Sequence, residues 1–86
     1  MTTEDLLKMI DQLKSDGMIA NNETANMLKM HLQAVQQFER KQSAEKVFKH
    51  MDGFLDLLNR QYQVGDISEQ GYQQLKIEAK SMQQQW

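Results

Sequence analysis

The stretch AEKVFKHMDGFLDLLNRQY, Ala44 to Tyr62, decides the fold. Its apolar side chains fall at Ala44, Val47, Phe48, Met51, Phe54, Leu55, Leu58 and Tyr62. Steps of three and four residues place all eight on one face of a helix. Ser43 stands just before the run, where a serine hydroxyl can cap a helix N-terminus. No other stretch is as apolar or as regular. This helix is therefore expected to be the spine of an all-α protein, an antiparallel four-helix bundle built from two similar helical hairpins.

On the N-terminal side of the spine, Arg40-Lys41-Gln42 reads as a short polar break. Before it a helix is expected over residues 22–40, capped by Asn21 or by Asn22. Its apolar arc is wide, with Ala25, Met27, Leu28, Leu32, Ala34, Val35 and Phe38, so it should touch more than one neighbour. A first helix is expected over residues 3–16, capped by Thr2 or Thr3, with Leu6, Met9, Ile10 and Leu13 as its stripe. Glu4 and Asp5 suit the positive end of its dipole. Gly17 fits the left-handed position that ends a helix.

On the C-terminal side, Val64-Gly65-Asp66-Ile67 ends the spine much as Gly17-Met18-Ile19 ends the first helix. A last helix is expected over residues 69–85, capped by Ser68, with Ile67 and Tyr72 placed as a hydrophobic staple. Its stripe, Tyr72, Leu75, Ala79, Met82 and Trp86, reaches the final residue, so Trp86 is expected to be docked. Residues 9–19 and 57–67 are weakly alike, with Gly17 matching Gly65 and Ile19 matching Ile67. Each half thus reads as the same unit of helix, Gly-x-Ile turn and capped helix.

Eighty-six residues make one domain. There is no proline, and no strand-like alternation accompanies the helical spacings. Twelve acidic against ten basic residues give a net charge of −2, which disfavours nucleic acid as a partner. The absence of cysteine excludes disulfides and thiolate sites. No apolar run approaches the roughly 20 residues of a membrane span. MTTEDLLK lacks the layout of a signal peptide, so a secreted parent would make this chain a fragment with an added initiator methionine.

No constellation for catalysis, metal or phosphate binding is present, and no cofactor is expected. Ser15, Ser43, Ser68 and Ser81 lie mostly at helix ends, where capping explains them. Asp52 and Asp56 share a helix face that points to water, with nothing to poise either for proton transfer. His31 falls in an apolar arc near Leu28 and Val35; it reads as a ligand or pH switch, or, as we prefer, as a half-buried histidine bonded to a neighbouring helix. His50 flanks the spine's apolar face, and neither histidine sits at metal-ligand spacing.

One feature exceeds what a bundle demands. Lys46, Lys49, Gly53, Leu57 and Arg60, with His50 beside them, form a stripe on the back of the spine. A mid-helix glycine costs about 1 kcal/mol relative to alanine and bares the backbone. The stripe could be a docking groove for an anionic or helical partner. Alternatively another helix of the same domain packs on Gly53 while the lysines are solvated, and this second reading is preferred. Met18, Ile77 and Trp86 are further candidate contacts, although packing explains Trp86 better.

The pattern Gly17-x-Ile19-x-Asn21, His31-Leu32-x-Ala34-Val35, Lys49-His50-x-x-Gly53-Phe54-x-x-Leu57-Leu58, Gly65-x-Ile67-Ser68 and terminal Trp86 resembles the FIMAH domain. This is a small helical module near the C-terminus of many secreted bacterial hydrolases. The likeness covers nearly the whole chain from Leu6. Two departures stand out: Gly71 where alanine is expected before the tyrosine, and the polar run Met82-Gln83-Gln84-Gln85 before the tryptophan. The resemblance implies a non-catalytic accessory domain, extracellular or at the cell surface, tethered to a hydrolase. Its partner would be a protein, the parent catalytic domain or a cell-wall polymer, and the chain itself a monomer. The rival reading is an autonomous cytosolic helical adaptor or regulator.

Overall fold

Helices start where a short polar side chain can satisfy free backbone N–H groups. The computed structural model, which describes residues 2–86, has four helices, α1 (Thr3–Ser15), α2 (Asn22–Arg40), α3 (Ala44–Gln63) and α4 (Glu69–Gln84), and all but α3 follow this rule. Met1 lies outside the described residues. Thr2, not Thr3, caps α1. Its hydroxyl accepts the Asp5 N–H, and the Asp5 carboxylate accepts the Thr2 N–H at 3.0 Å. That backbone bond, with the Thr2 hydroxyl second, holds the Asp5 carboxyl below the ordinary carboxylate range. The stabilisation is present at neutral pH and is lost as the pH falls through the lowered value. Asn21 caps α2 through Thr24 N–H at 2.8 Å, and Ser68 caps α4 through Gly71 N–H at 3.1 Å.

Ser43 differs from the expectation. It occupies the N-cap of α3, but its hydroxyl makes no cap hydrogen bond. The reason lies in the preceding turn. Gln42 adopts φ +55°, and the Ser43 N–H closes α2 by bonding the Phe38 carbonyl at 3.0 Å. Ser43 is thus the last residue of a helix stop as well as the first of a start, and its ψ of 83° lies outside the extended region of the other three caps.

The same stop ends α1 and α3, with glycine in the left-handed position: Gly17 at φ +81° and Gly65 at φ +87°. Met18 N–H reaches the Leu13 carbonyl and Asp66 N–H the Gln61 carbonyl, each at 2.9 Å. The two turns then meet. Ala20 N–H donates to the Asp66 carbonyl and Ser68 N–H to the Met18 carbonyl, both at 2.8 Å, around an antiparallel bridge between Ile19 and Ile67. The two Gly-x-Ile turns are therefore joined at one end of the bundle. Thr3 meets Glu39 and Met82 at the other. With a long dimension of 34 Å, little more than one helix, consecutive helices must reverse direction. Neighbours are α1–α2, α2–α3, α3–α4 and α4–α1. This is the antiparallel four-helix bundle anticipated from the pattern.

Leu6, Ile10, Leu28, Leu32, Val35, Val47, Met51, Phe54, Leu58 and Leu75 are fully buried, with Ile19 and Ile67 sealing the turn end. Three expectations need correction. Phe48, placed on the spine's apolar face, is 47% exposed and Ala44 is exposed too. Both lie on the α4 side of α3 near its N-terminus, where α4 is four residues shorter and runs out. Met27, included in α2's arc, is 42% exposed. Trp86 is not docked in the helical stripe. α4 ends at Gln84, so the chain leaves the helical register before Trp86, which is 42% exposed. The helix limits otherwise differ from those expected by one residue at most.

Candidate functional site

The stripe Lys46, Lys49, His50, Gly53, Leu57 and Arg60 runs along the seam between α3 and α2. Its centre is occupied from within. His31, on the facing side of α2, lies against Gly53, and a Cβ built there would sit 3.2 Å from both Cε1 and Nε2 of that ring. His31 Nε2–H donates to the His50 carbonyl at 2.8 Å. The missing side chain at Gly53 lets the imidazole approach the backbone of α3 closely enough for this bond. His50 in turn donates from Nδ1 to the Lys46 carbonyl at 3.1 Å. Each acceptor is a carbonyl, so the proton must be on the ring nitrogen that faces it. The neutral tautomers are thus Nε2–H for His31 and Nδ1–H for His50.

Aromatic rings continue the seam. Phe38 lies 4.5 Å from His50 between centroids, and His31 lies 6.0 Å from His50 and 6.3 Å from Phe54. Lys46 Nζ stands 5.5 Å from the Phe38 ring centre, a cation–π distance. Lys49 pairs with Glu45 one turn away at 3.0 Å, and both groups are largely exposed. Such a pair contributes at most a few tenths of a kcal/mol. Leu57 is partly buried and packs on the core, while Arg60 is exposed. Gly53 and His50 therefore serve α2–α3 packing, and Lys46, Lys49 and Arg60 are the stripe's outward-facing members.

Polar residues that the sequence reading passed over hold the other seams. Gln83, in the polar run that departs from the family pattern, is buried. Its Nε2–H groups donate to the Phe48 carbonyl at 3.0 Å and to Asp52 Oδ1 at 2.7 Å. Asp52 is thereby engaged with α4 and not simply solvated. Buried Thr3 donates to Glu39, Lys29 meets Asp11 at 2.8 Å and Gln36 meets Glu4 at 3.1 Å. Gly71, the other departure, is also accounted for. A Cβ there would come within 3.2 Å of Met18 Cβ in the facing turn. An i-to-i+3 signal could not have revealed these, because each partner is distant in sequence.

An open groove of about 290 Å³ lies between the C-terminal end of α1 and the start of α4, lined by Met9, Gln12, Leu13, Asp16, Met18, Gln70 and Gln74. Gln12 is already bonded to Asp16 at 3.0 Å. The groove brings together no base and nucleophile. Among the described residues no group of three or more histidine or acidic side chains could hold a metal ion. Among the described residues no helix is long and apolar enough to cross a membrane.

The fold and its polar chemistry define a small helical module in which His31, Gln83 and Thr3 bond between helices. The family model of the FIMAH domain matches residues 3–84, nearly the whole chain, and the protein belongs to that family. FIMAH is a family of small accessory domains and not of catalytic ones. No curated protein and no solved structure gives a significant match.

Proposed function

We propose that this chain is a non-catalytic interaction module of a secreted bacterial enzyme, acting outside the cell or at its surface by associating with a protein or a cell-surface polymer. The observation that carries the reading is the FIMAH match over residues 3–84. The side chains add support. His31, Gln83, Thr3 and Asp52 spend their hydrogen bonds joining helices, and His50 bonds within α3, so they are not assembled to turn over a substrate.

The test uses the whole parent protein with and without residues 3–84. Deletion is expected to leave turnover of a small soluble substrate unchanged and to abolish retention on the producing cells or on the parent's protein partner. Loss of turnover with retention intact would overturn the reading. So would a parent reading frame with no signal peptide and no further domain, which would return the chain to the cytosolic adaptor class.

A further inference from the structure

Charge is unevenly distributed over this acidic chain. Residues 40–50 hold four of its ten basic residues and one of its twelve acidic ones. Of the nearby carboxylates, Glu39 is bonded by Thr3, Glu45 by Lys49 and Asp52 by Gln83, while Asp56, one turn before Arg60, is exposed. Lys41 and Lys46 have no carboxylate partner among the described residues, and Lys46 rests on the ring of Phe38. The rest of the chain is net acidic, so an anionic partner is repelled elsewhere and attracted to this end.

The cations also border apolar surface. Met27, His31, Ala34 and Phe38 follow one another at steps of four, three and four on α2. His31 and Phe38 lie against Gly53 and His50 of α3, which fixes the register. Antiparallel packing then brings Met27, one turn before His31, alongside Leu57, one turn after Gly53. Met27 is 42% exposed, and Met30 beside it is 67% exposed. From Lys46 to Arg60 the seam extends about 21 Å, the length of a helix of about 14 residues.

Resting on the reading of the domain as an interaction module, the geometry points to the outer α2–α3 seam as a docking site for an acidic amphipathic segment of another protein. Its carboxylates meet Lys41, Lys46 and Lys49, and its apolar side chains meet Met27 and Phe38. A phosphate polymer would use the cations but leave the apolar surface unmatched. Methionine suits such a surface because its flexible side chain adapts to different apolar partners.

The experiment titrates the ¹⁵N-labelled chain with an 18-residue helical peptide carrying leucine on one face and glutamate on the other. Controls are its lysine-for-glutamate counterpart and inorganic polyphosphate. Amide shifts should be confined to residues 27–41 and 46–60. The lysine peptide and polyphosphate should each bind at least tenfold more weakly. Combining Lys46→Glu with Lys49→Glu should weaken the glutamate peptide at least tenfold at unchanged Tm, whereas Lys80→Glu on α4 should change its affinity less than twofold. No binding, shifts centred elsewhere, or affinity indifferent to the double variant overturns the proposal, and polyphosphate binding as tightly as the peptide replaces it with a polyanion site. In the parent protein, retention that survives the double variant sinks the seam but spares the module reading; loss of that reading requires the unmutated domain itself to be dispensable.

Discussion

The two ends of the bundle solve the same problem, reversing the chain between antiparallel helices, with different means. At the end formed by residues 16–21 and 64–68, two turns meet. Glycine takes the left-handed position in each, two backbone bonds join them, and Ile19 and Ile67 are buried between the helices. At the opposite end a single turn, Lys41-Gln42-Ser43, closes α2 and opens α3. There glutamine takes the left-handed position, the serine cap is unfilled, and the surroundings are cationic. The first end is built for closure. The second tolerates a strained residue and an unfilled cap, and it carries the charge that the fold itself does not consume.

The contrast can be broken most decisively at Ile67. Ile67→Ala removes a buried side chain from the sealed end and is expected to cost about 2–5 kcal/mol in chemical denaturation. Replacing Phe48 with alanine at the other end should cost far less, because that ring is half exposed. Equal losses would show that the sealed end contributes nothing special.

The left-handed positions should respond with opposite signs. Gly65→Ala places a side chain at φ +87° and is expected to lose about 1–2 kcal/mol. No atom lies within 4 Å of the new Cβ, so the cost is conformational and not steric. Gln42→Gly removes the same strain and should raise stability by up to about 1 kcal/mol. A loss at Gln42 would mean that its side chain contributes something the backbone account omits.

The caps separate the ends more finely. Ser68→Ala deletes a hydroxyl that accepts the Gly71 N–H and should cost about 1 kcal/mol. Ser43→Ala deletes a hydroxyl that caps nothing, so its thermal midpoint should stay close to that of the unaltered chain. Comparable losses at the two serines would contradict the cap geometry of α3.

What could be read in advance follows the range of each interaction. The helices, the two glycine stops and the caps at Asn21 and Ser68 depend on neighbours in sequence, and periodicity and residue type reveal them. The stop at Gln42 has no such signal, because glutamine rarely takes φ of +55° and nothing near it marks the turn. The reading of Ser43 as a cap failed for the same reason. Gln83 looked like part of a polar chain end, yet it is buried between helices because Phe48 and Asp52, more than thirty residues earlier, offer it acceptors. Within the candidate stripe, Gly53 marked a close approach correctly. Only the fold shows that the approaching group is His31, and only the fold separates Lys46, without a carboxylate partner among the described residues, from Lys49, which has one.

The most finely balanced effect lies midway between the ends, at Gly53, and it bears on which part of the seam is open. Alanine is the better helix former by about 1 kcal/mol, so an unobstructed site would gain from Gly53→Ala. The new methyl would instead stand 3.2 Å from the His31 ring, closer than comfortable contact. That ring is tethered to the His50 carbonyl at 2.8 Å, and a bond of this kind contributes about 0.5–1.5 kcal/mol. Moving the ring by a few tenths of an ångström weakens the bond and disturbs the packing on Phe54 and His50. The two effects nearly offset, and the expected result is a net loss below about 1 kcal/mol. A second background decides the cause. In a His31→Ala chain the obstruction is gone, so Gly53→Ala should there stabilise by up to about 1 kcal/mol. The reversal of sign, read as a coupling between the two positions, would establish that glycine is kept for the histidine. Stabilisation in both backgrounds would show that the ring yields freely, and the floor of the seam beneath Lys46 and Lys49 would then be open to an outside partner as well as its edge.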